Sequence, residues 1–484
     1  MINVLKQKTK FVLIAAIMFF FAGCVAFRPE QRVPNPHDVP QAFALYDRVD
    51  ETPGMWWVSF ESDELNRLME MAFEDNLSIR QAYARLEQAE ATTLRAGAAL
   101  IPGLDATGAY SISSRENPNN FAMGSGTTRQ ISAGISVPSY ELDIWGRVRS
   151  TREAALRDYQ MSAEDLRTVY ITVSAEIANR WLEYLYYNQI ADVLQEQLES
   201  NRQSLSLIET RFRLGKSTAL DVYQQRQIVA SVESLQPEID GRLAELRNEI
   251  AVLVGKPSGT DLQISIEPLP NVTVLPDPGF PADILGSRPD VRRAGLALEA
   301  ADWRVAAARA DRLPSLRLTG SFSYSSDEIG TLFDNWVSNL ATSLVGPVFD
   351  AGRRRYEVDR ARAAADERLA AYRQTVLNAV MEVQNTLIRW SSQHKTLEAQ
   401  ERQLAVARDT YRESMTRYRA GTTEYLPVLT ALSQSQQLER SLLQNQYRLL
   451  LIHVSLIRSL GGDWMNNDNY FGADGTHLLP NEQL

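Results

Sequence analysis

From Gly146 to Gly215, and again from Gly352 to Gly421, the chain runs 68 residues without a proline, and its apolar positions recur at steps of three and four. Ile171, Ala175, Ala178, Leu182 and Leu185 begin the first stripe, and Leu194, Leu198, Leu205, Ile208 and Phe212 extend it. Leu404, Ala407, Tyr411, Ser414 and Tyr418 mark the second. This is coiled-coil spacing with a register break near Gln189, written in Ala, Leu, Glu, Arg and Gln, which favour helix. At about 1.5 Å per residue each segment predicts a rod of roughly 100 Å. A return helix follows each glycine turn, ending at Gly255 and Gly461, and a shorter helix precedes each rod, about 77–101 and 289–313. Helix 77–101 offers about 37 Å and helix 219–254 about 54 Å, so stacked end to end they nearly match the rod. Each half of the chain then supplies one long and one composite column.

Between the short and long helices the period falls to two. Ala106, Gly108, Tyr110 and Ile112 oppose Thr107, Ser111 and Ser113, and Ile131, Ala133, Ile135 and Val137 oppose Ser132, Gly134 and Ser136. In the second half Leu318, Gly320, Phe322 and Tyr324 oppose Thr319, Ser321 and Ser323, while a fourth strand, about 336–348, alternates less cleanly. An apolar face about ten residues long, backed by small polar residues, fits a membrane β-strand. It fits equally an antiparallel sheet packed on helices with one wet face. In lipid, four strands cannot close a barrel and open edges are not tolerated, so chains must pool strands. Eight strands fill their own interior, whereas twelve leave a passage. A trimer is therefore expected.

The chain is written twice. Residues 101–113 lie over 313–325 with six identities in thirteen, and Ile79, Ala82, Leu86 and Glu87 lie over Val291, Ala294, Leu298 and Glu299. Arg211-Phe-Arg-Leu-Gly215 lies over Arg417-Tyr-Arg-Ala-Gly421 at an offset six residues shorter, the difference falling in polar stretches between strands, where length change is cheap. The expected organisation is an export signal, 1–23; an anchor, tether and N-terminal segment, 24–76; a first repeat, 77–288, with a hairpin at 104–143, a long helix to 214 and a return helix to 254; a second repeat, 289–464, with a hairpin at 316–349, a long helix to 420 and a return helix to 460; and a tail, 465–484.

Composition narrows the chemistry. The 484 residues hold 50 basic and 60 acidic side chains, a net charge of −10, with a pI near 5.2. That disfavours a nucleic-acid partner, which needs a basic face to neutralise phosphates. One Cys excludes a disulfide framework, and His37, His394, His453 and His477 stand too far apart for a metal site. Phosphate-loop, His-Glu-x-x-His and nucleophile–base patterns are missing, so no catalytic residue, cofactor or metal ligand is expected. Arg353-Arg354-Arg355, directly after Gly352, is read as the membrane-side end of a long helix.

The lone Cys changes the picture again. Lys6, Lys8 and Lys10 precede the apolar run Phe11–Ala22, an export-signal pattern. Phe21-Ala22-Gly23-Cys24 resembles a bacterial lipobox, in which Cys24 becomes residue one and carries a covalent lipid. Val25, in place of Asp, favours the outer membrane. Pro29, Pro34, Pro36 and Pro40 then suggest an extended tether.

The duplicated helix–hairpin–long helix plan, the Arg-Phe-Arg-Leu-Gly and Arg-Tyr-Arg-Ala-Gly turns, Ser287-Arg-Pro-Asp290 and Leu460-Gly-Gly-Asp-Trp464 together resemble the TolC family. With Cys24, the chain is similar to its lipoprotein branch, typified by OprM and NodT. The resemblance covers essentially the whole chain after the signal. It implies a mainly α fold with a small β-barrel: a homotrimer with a twelve-helix periplasmic barrel and a shared twelve-strand outer-membrane barrel, four strands per chain. The implied function is the exit duct of a tripartite efflux pump for small toxic compounds. The implied partners are a periplasmic adaptor, an inner-membrane transporter of the resistance-nodulation-division type and outer-membrane lipid.

The resemblance also places the Gly215 and Gly421 turns at the periplasmic tip, with Arg211, Arg213, Leu214, Arg417 and Ala420 as turn and adaptor-contact residues. Two ordinary interhelical turns explain the glycines equally well. Family members close the tip with a Tyr–Asp hydrogen bond between neighbouring helices, and Tyr418 and Asp221 match those positions. Three Asp221 carboxylates would form a negative ring. The family's second turn often carries an Arg two residues after the Gly and one or two Asp on the next helix. Here Thr423, Pro427 and Thr430 stand there, so the gate is expected to be looser, or built from Tyr418, Arg419 and Leu426. Type I protein secretion and a lipid-anchored helical scaffold or adaptor are the alternatives. Paired strand blocks in both halves disfavour the scaffold, and the lipobox disfavours the secretion duct.

Overall fold

The computed structural model describes residues 27, 29, 32, 55–115, 126–271 and 284–461. Cys24, the export signal and the tail from 462 onward, including Gly462-Asp-Trp464, lie outside the described residues. The chain forms two compact units, each drawing on both sequence halves. One comprises Met1–Pro34, Arg85–Ser162 and Arg293–Arg373, and the other Asn35–Ala84, Ala163–Arg292 and Gln374–Leu484.

The first unit contains β1 (Asp105–Arg115), β2 (Gly126–Leu142), β3 (Ser315–Ser326) and β4 (Trp336–Val345), antiparallel and in chain order. The register aligns Gly108, Ala133, Tyr324 and Trp336 in one row and Ala106, Ile135, Phe322 and Ser338 in the next. Cross-strand partners share a face, so the apolar sets of β1, β2 and β3 lie on one side of the sheet, whereas β4 divides its own, with Trp336, Leu340 and Leu344 on that side and Val337, Ala341 and Val345 on the other. Phe322 stacks on Trp336 at 5.7 Å on the shared side. Among the described residues β1 pairs only with β2 and β4 only with β3, so each has an unpaired edge.

Prolines mark an irregularity in two strands, one of them within the hairpin expected at 104–143. β2 extends well beyond the alternating stretch 131–137, and its register with β3 shifts between Val137 and Tyr140, where Pro138 has no N–H to give the ladder. β4 ends at Val345 rather than 348, just before Gly346-Pro347.

Helical segments in this unit come from α2 (Leu77–Ala98), α3 (Arg147–Arg213), α6 (Pro289–Ala310) and α7 (Arg353–Ala420). α2 closes at Ala98, three residues earlier than expected. α6 and α7 approach through Ala301, Val305, Ala361 and Ala365. Arg157 pairs with Glu299 at 2.6 Å, and Arg304 with Asp158. Arg32, eight positions after Cys24, donates to the buried Asp302 at 2.8 Å, which ties part of the tether to α6.

The second unit begins with a 3₁₀ turn, Trp56–Phe60, and α1 (Asp63–Asp75). Ser62 caps α1 by accepting from the Leu65 N–H. Trp56, Trp57 and Phe60 are buried, with Phe60 packed edge-on to Trp181 at 6.1 Å and to His453 at 5.8 Å. The return helix expected at 219–254 is two helices, α4 (Ala219–Glu233) and α5 (Gln236–Leu253). Pro237 breaks it, since a ring there clashes with the carbonyl four residues back and removes a donor. Its counterpart α8 (Tyr425–Leu460) runs unbroken, because Pro427 stands in the first turn, where N–H groups have no helical partner.

The end-to-end stacking occurs twice, with matching chemistry. Asn76, just ahead of α2, donates to the Leu253 carbonyl at the end of α5, at 2.7 Å. Arg288, one repeat later and just ahead of α6, donates to the Ser459 carbonyl near the end of α8, at 2.6 Å, and Ser287 donates to Leu460. Each side chain satisfies a carbonyl that a helix end leaves open. Gly255 and Gly461 stand at the contacts with φ of 75° and 93°.

His453 is 4% exposed, and neither ring nitrogen has a hydrogen-bond partner among the described residues. Burial pushes its imidazole down to about 4. The unfolded chain therefore binds a proton near pH 6.5 that the folded chain refuses, and stability falls as pH drops from 6.5 towards 4. The expected loss is about 3 kcal/mol, from about 1.36 kcal/mol per pH unit. His453→Leu should flatten this window in denaturant titrations from about pH 7 to 4. An unchanged slope would refute the assignment.

Candidate functional site

The two glycine turns of one chain lie together in the second unit. α3 ends in Arg211-Phe-Arg213, after which the Lys216 N–H returns to the Arg211 carbonyl at 2.8 Å and Gly215 takes φ 70°. α7 ends identically: the Thr422 N–H returns to the Arg417 carbonyl at 3.0 Å, with Gly421 at φ 77°. A left-handed residue past the helix end lets the backbone satisfy its last carbonyls, and glycine adopts it without strain.

Tyr418 is the centre of the cluster. It is buried, with its ring packed among Ile208, Val222, Met415, Tyr425 and Val428. The Arg211 guanidinium sits 4.6 Å from the Tyr418 ring centroid and donates to the Tyr418 carbonyl at 3.4 Å. Such a cation over a ring face is favourable by about 0.5–1 kcal/mol or more as water is removed.

Within the chain, Tyr418 and Asp221 are linked through a third residue. The Tyr418 hydroxyl donates to Ser217 at 3.3 Å, and the Ser217 hydroxyl donates to the Asp221 carboxylate at 2.8 Å. The same Asp221 oxygen accepts the Thr218 N–H, while the Asp221 N–H donates to the Thr218 hydroxyl. Thr218 and Asp221 thus form the capping box of α4. Ser217 and Thr218 are not among the residues expected at the site, although Thr218-x-x-Asp221 ahead of a helix is a legible capping signal.

The remaining turn residues point outward. Leu214 and Leu426 are exposed, as are Arg213, Arg417, Arg419, Ala420 and Thr430, and Thr423 is half-buried. Arg417 pairs with Glu413 and Arg213 reaches Thr210, whereas Arg419 has no partner among the described residues. Thr430 donates back to the Leu426 carbonyl, as a helical threonine does when it has no other task.

Behind the turns lies a buried polar chain that the helical stripes did not reveal. The Tyr425 hydroxyl donates to Gln225 at 2.6 Å, Gln225 donates to the Asn201 carbonyl at 2.9 Å, and Asn201 donates to Gln436 at 3.2 Å. Asn201 and Gln225 are fully buried. Desolvation pushes the Tyr425 phenol up, so it stays a neutral donor. A satisfied buried network fixes one arrangement of the helices that share it, here α3, α4 and α8. Among the described residues no group of His, Cys, Asp or Glu is placed to hold a metal ion. No helix among them is long and apolar enough to cross a membrane.

Comparison with known proteins bears on the whole chain. The family model described as outer membrane efflux protein matches residues 68–256 and again 280–462. The chain is 32% identical over 422 residues to the pyoverdine export outer membrane protein OpmQ of Pseudomonas putida, covering 84% of this chain and 88% of that one. It is 29% identical over 451 residues to the cation efflux system protein CusC of Escherichia coli, covering 91% and 96%. Its fold is similar to that of the outer-membrane channel OprN, with a TM-score of 0.84, 26% identity, and coverage of 91% and 100%.

Proposed function

The chain belongs to the outer membrane efflux protein family, and on that premise we propose that three copies of it form the exit duct of a tripartite efflux pump. The observation that carries this reading is the open four-stranded sheet, with the apolar faces of β1, β2 and β3 on one side and, among the described residues, an unpaired edge on each flank. An apolar face of that height suits lipid, and edges in lipid must be paired by another copy. Three copies give twelve strands, enough to leave a passage.

Most of each chain then stands in the periplasm as helix. The tip turns close the duct at rest: Tyr418, held by Arg211 and Ser217, and Asp221, held in its capping box, set the position of the loops, and Arg419 and Leu426 are free to meet a neighbouring copy. The exposed Arg213, Leu214, Arg417 and Ala420 face an adaptor protein, beyond which stands an inner-membrane transporter of the resistance-nodulation-division type. Cargo is small toxic molecules. The relatives' named cargoes, pyoverdine and cations, differ widely, as expected of walls that touch what they pass only briefly.

Cys24 anchors the assembly through a covalent lipid. Cys24→Ser should abolish incorporation of labelled fatty acid, and label retained on the variant would remove the anchor from the account. For the assembly, light scattering of the purified full chain in detergent should give the mass of three chains. A monomer or dimer in every detergent would contradict the pooled barrel.

A further inference from the structure

Between α7 and α8, within the second unit, runs a groove of about 450 Å³. Arg402, Gln403, Ala407 and Thr410 of α7 line it, with Ala431 and Leu438 of α8. Arg402 and Gln403 are exposed, and neither side chain has a hydrogen-bond or ion-pair partner among the described residues.

The chain holds a filled version of the same groove. Gly215 and Gly421 stand 206 residues apart, so each groove residue has a counterpart 206 places earlier, in α3 or α4. The local chemistry keeps this match. Arg202 pairs with Glu233 at 2.7 Å to join α3 to α4, and their counterparts Arg408 and Glu439 join α7 to α8. Gln403, Ala407, Thr410 and Ala431 correspond to Gln197, Asn201, Ser204 and Gln225, all four of which are buried. α8 lies over that face: Gln197 donates to the Gln436 carbonyl at 3.2 Å and to the Glu439 carboxylate at 2.9 Å, and Tyr425 donates to Gln225.

A chain of two repeats has no third to cover the second groove. The counterpart of the covering part of α8 is α4, and its matching face is bare. Ala230 and Glu233, which correspond to Gln436 and Glu439, are exposed. Glu439 takes Arg408 on one oxygen and Gln197 on the other, whereas Glu233 takes Arg202 on one oxygen and has no partner for its second among the described residues. Tyr223 is 66% exposed on α4, while its counterpart Leu429 packs on the cluster that holds Ile208 and Val222. Each chain thus carries an open groove and, on another helix, the knob and the acceptor that fit it. A helix of some other protein would fill the groove and still leave Tyr223 and Glu233 bare.

We propose that the α7–α8 groove seats α4 of a second copy, whose Tyr223 packs into the Thr410 end and whose Glu233 accepts from Gln403. The inference rests on the reading that three copies assemble, and it names the faces that meet. The contact is head-to-tail, so it repeats from copy to copy around a ring, and the groove is incomplete without the neighbour. Ala407 and Ala431, in place of Asn201 and Gln225, leave no amide to satisfy at this seam and make room for the tyrosine ring.

The test uses the full chain in neutral detergent. Bridging Q403C/E233C with a short bismaleimide should give bands of two and three chains on a denaturing gel. Q197C/E439C, across the covered groove, should be bridged only within one chain. Tyr223→Ser changes an exposed side chain, so it should keep its circular dichroism while single chains appear at an at least about tenfold higher protein concentration on dilution, as expected when an interface tyrosine is lost. The mass of three chains without the linked bands, or a Tyr223→Ser protein that assembles as the wild type does, would overturn the seam and leave the three-copy reading standing. Rapid maleimide labelling of Q403C within the assembled protein would also overturn it and leave the groove to a different partner. Single chains in every detergent would remove both the seam and the three-copy reading.

Discussion

Alanine at Gly255 or Gly461 is expected to destabilise the chain by about 3 kcal/mol or more, whereas alanine at Gly215 costs about 1 kcal/mol. All three glycines have positive φ, so all three substitutions carry the left-handed strain of an L-residue. The surroundings differ. A Cβ at Gly255 would stand 2.3 Å from the Asp75 carbonyl oxygen, and one at Gly461 would stand 2.8 Å from the Arg288 Cα. Both obstacles are backbone, which cannot step aside as a flexible side chain can. A Cβ at Gly215 would meet nothing within 4 Å beyond its chain neighbours among the described residues. Forcing the joins apart also strains the bonds from Asn76 to Leu253 and from Arg288 to Ser459 that finish two helix ends. Guanidinium unfolding of the three single variants in one detergent measures the difference directly. Equal midpoints for Gly255→Ala and Gly215→Ala would show that the helices do not bear on each other at the join.

Tyr418→Ala is expected to raise leak conductance several-fold, and Tyr418→Phe to change it little. The alanine deletes a buried ring from the cluster of Ile208, Val222, Met415, Tyr425 and Val428 and takes away the face on which Arg211 rests, a loss of about 3–5 kcal/mol for a large buried aromatic. Phenylalanine keeps both and forfeits only a 3.3 Å bond to Ser217. Asp221→Ala falls between them. It breaks the capping box, costing about 1 kcal/mol, and frees Ser217 to rotate. Single-channel leak should therefore fall in the order Tyr418→Ala, Asp221→Ala, Tyr418→Phe, which tests whether the tip is held by packing, with the Tyr–Asp hydrogen bond secondary. A leak from Tyr418→Phe as large as that from Tyr418→Ala would restore the hydrogen bond as the lock.

Long helices and strand faces were legible because their signals are long and redundant. Sixty-eight residues without proline, striped at threes and fours, admit little else. The alternation of Ile131, Ala133 and Ile135 with Ser132, Gly134 and Ser136 put the apolar side of β2 where the register now places it. Pro237 stands inside the return helix expected at 219–254, and its local steric effect divides that helix where the second repeat runs unbroken. α1 carried its cap at Ser62 and a stripe at Leu65, Leu68, Met69 and Ala72, yet lay in a segment read only as an N-terminal piece.

The buried network was hidden for a different reason. Asn201, Gln225 and Gln436 look like solvated helix positions along the chain, and only the neighbouring helices decide that water is excluded there. The link from Tyr418 through Ser217 to Asp221 depends likewise on two turns about 200 residues apart meeting in space.

The central claim is that this chain, by pooling its strands with other copies, makes a water-filled passage through a membrane. Single-channel recording of the purified, lipidated full chain in a planar bilayer tests it most directly. Discrete, uniform conductance steps are expected, small at rest and enlarged by Tyr418→Ala. A protein that inserts into the bilayer, stays silent in both forms and shows no steps at any voltage would contradict the account.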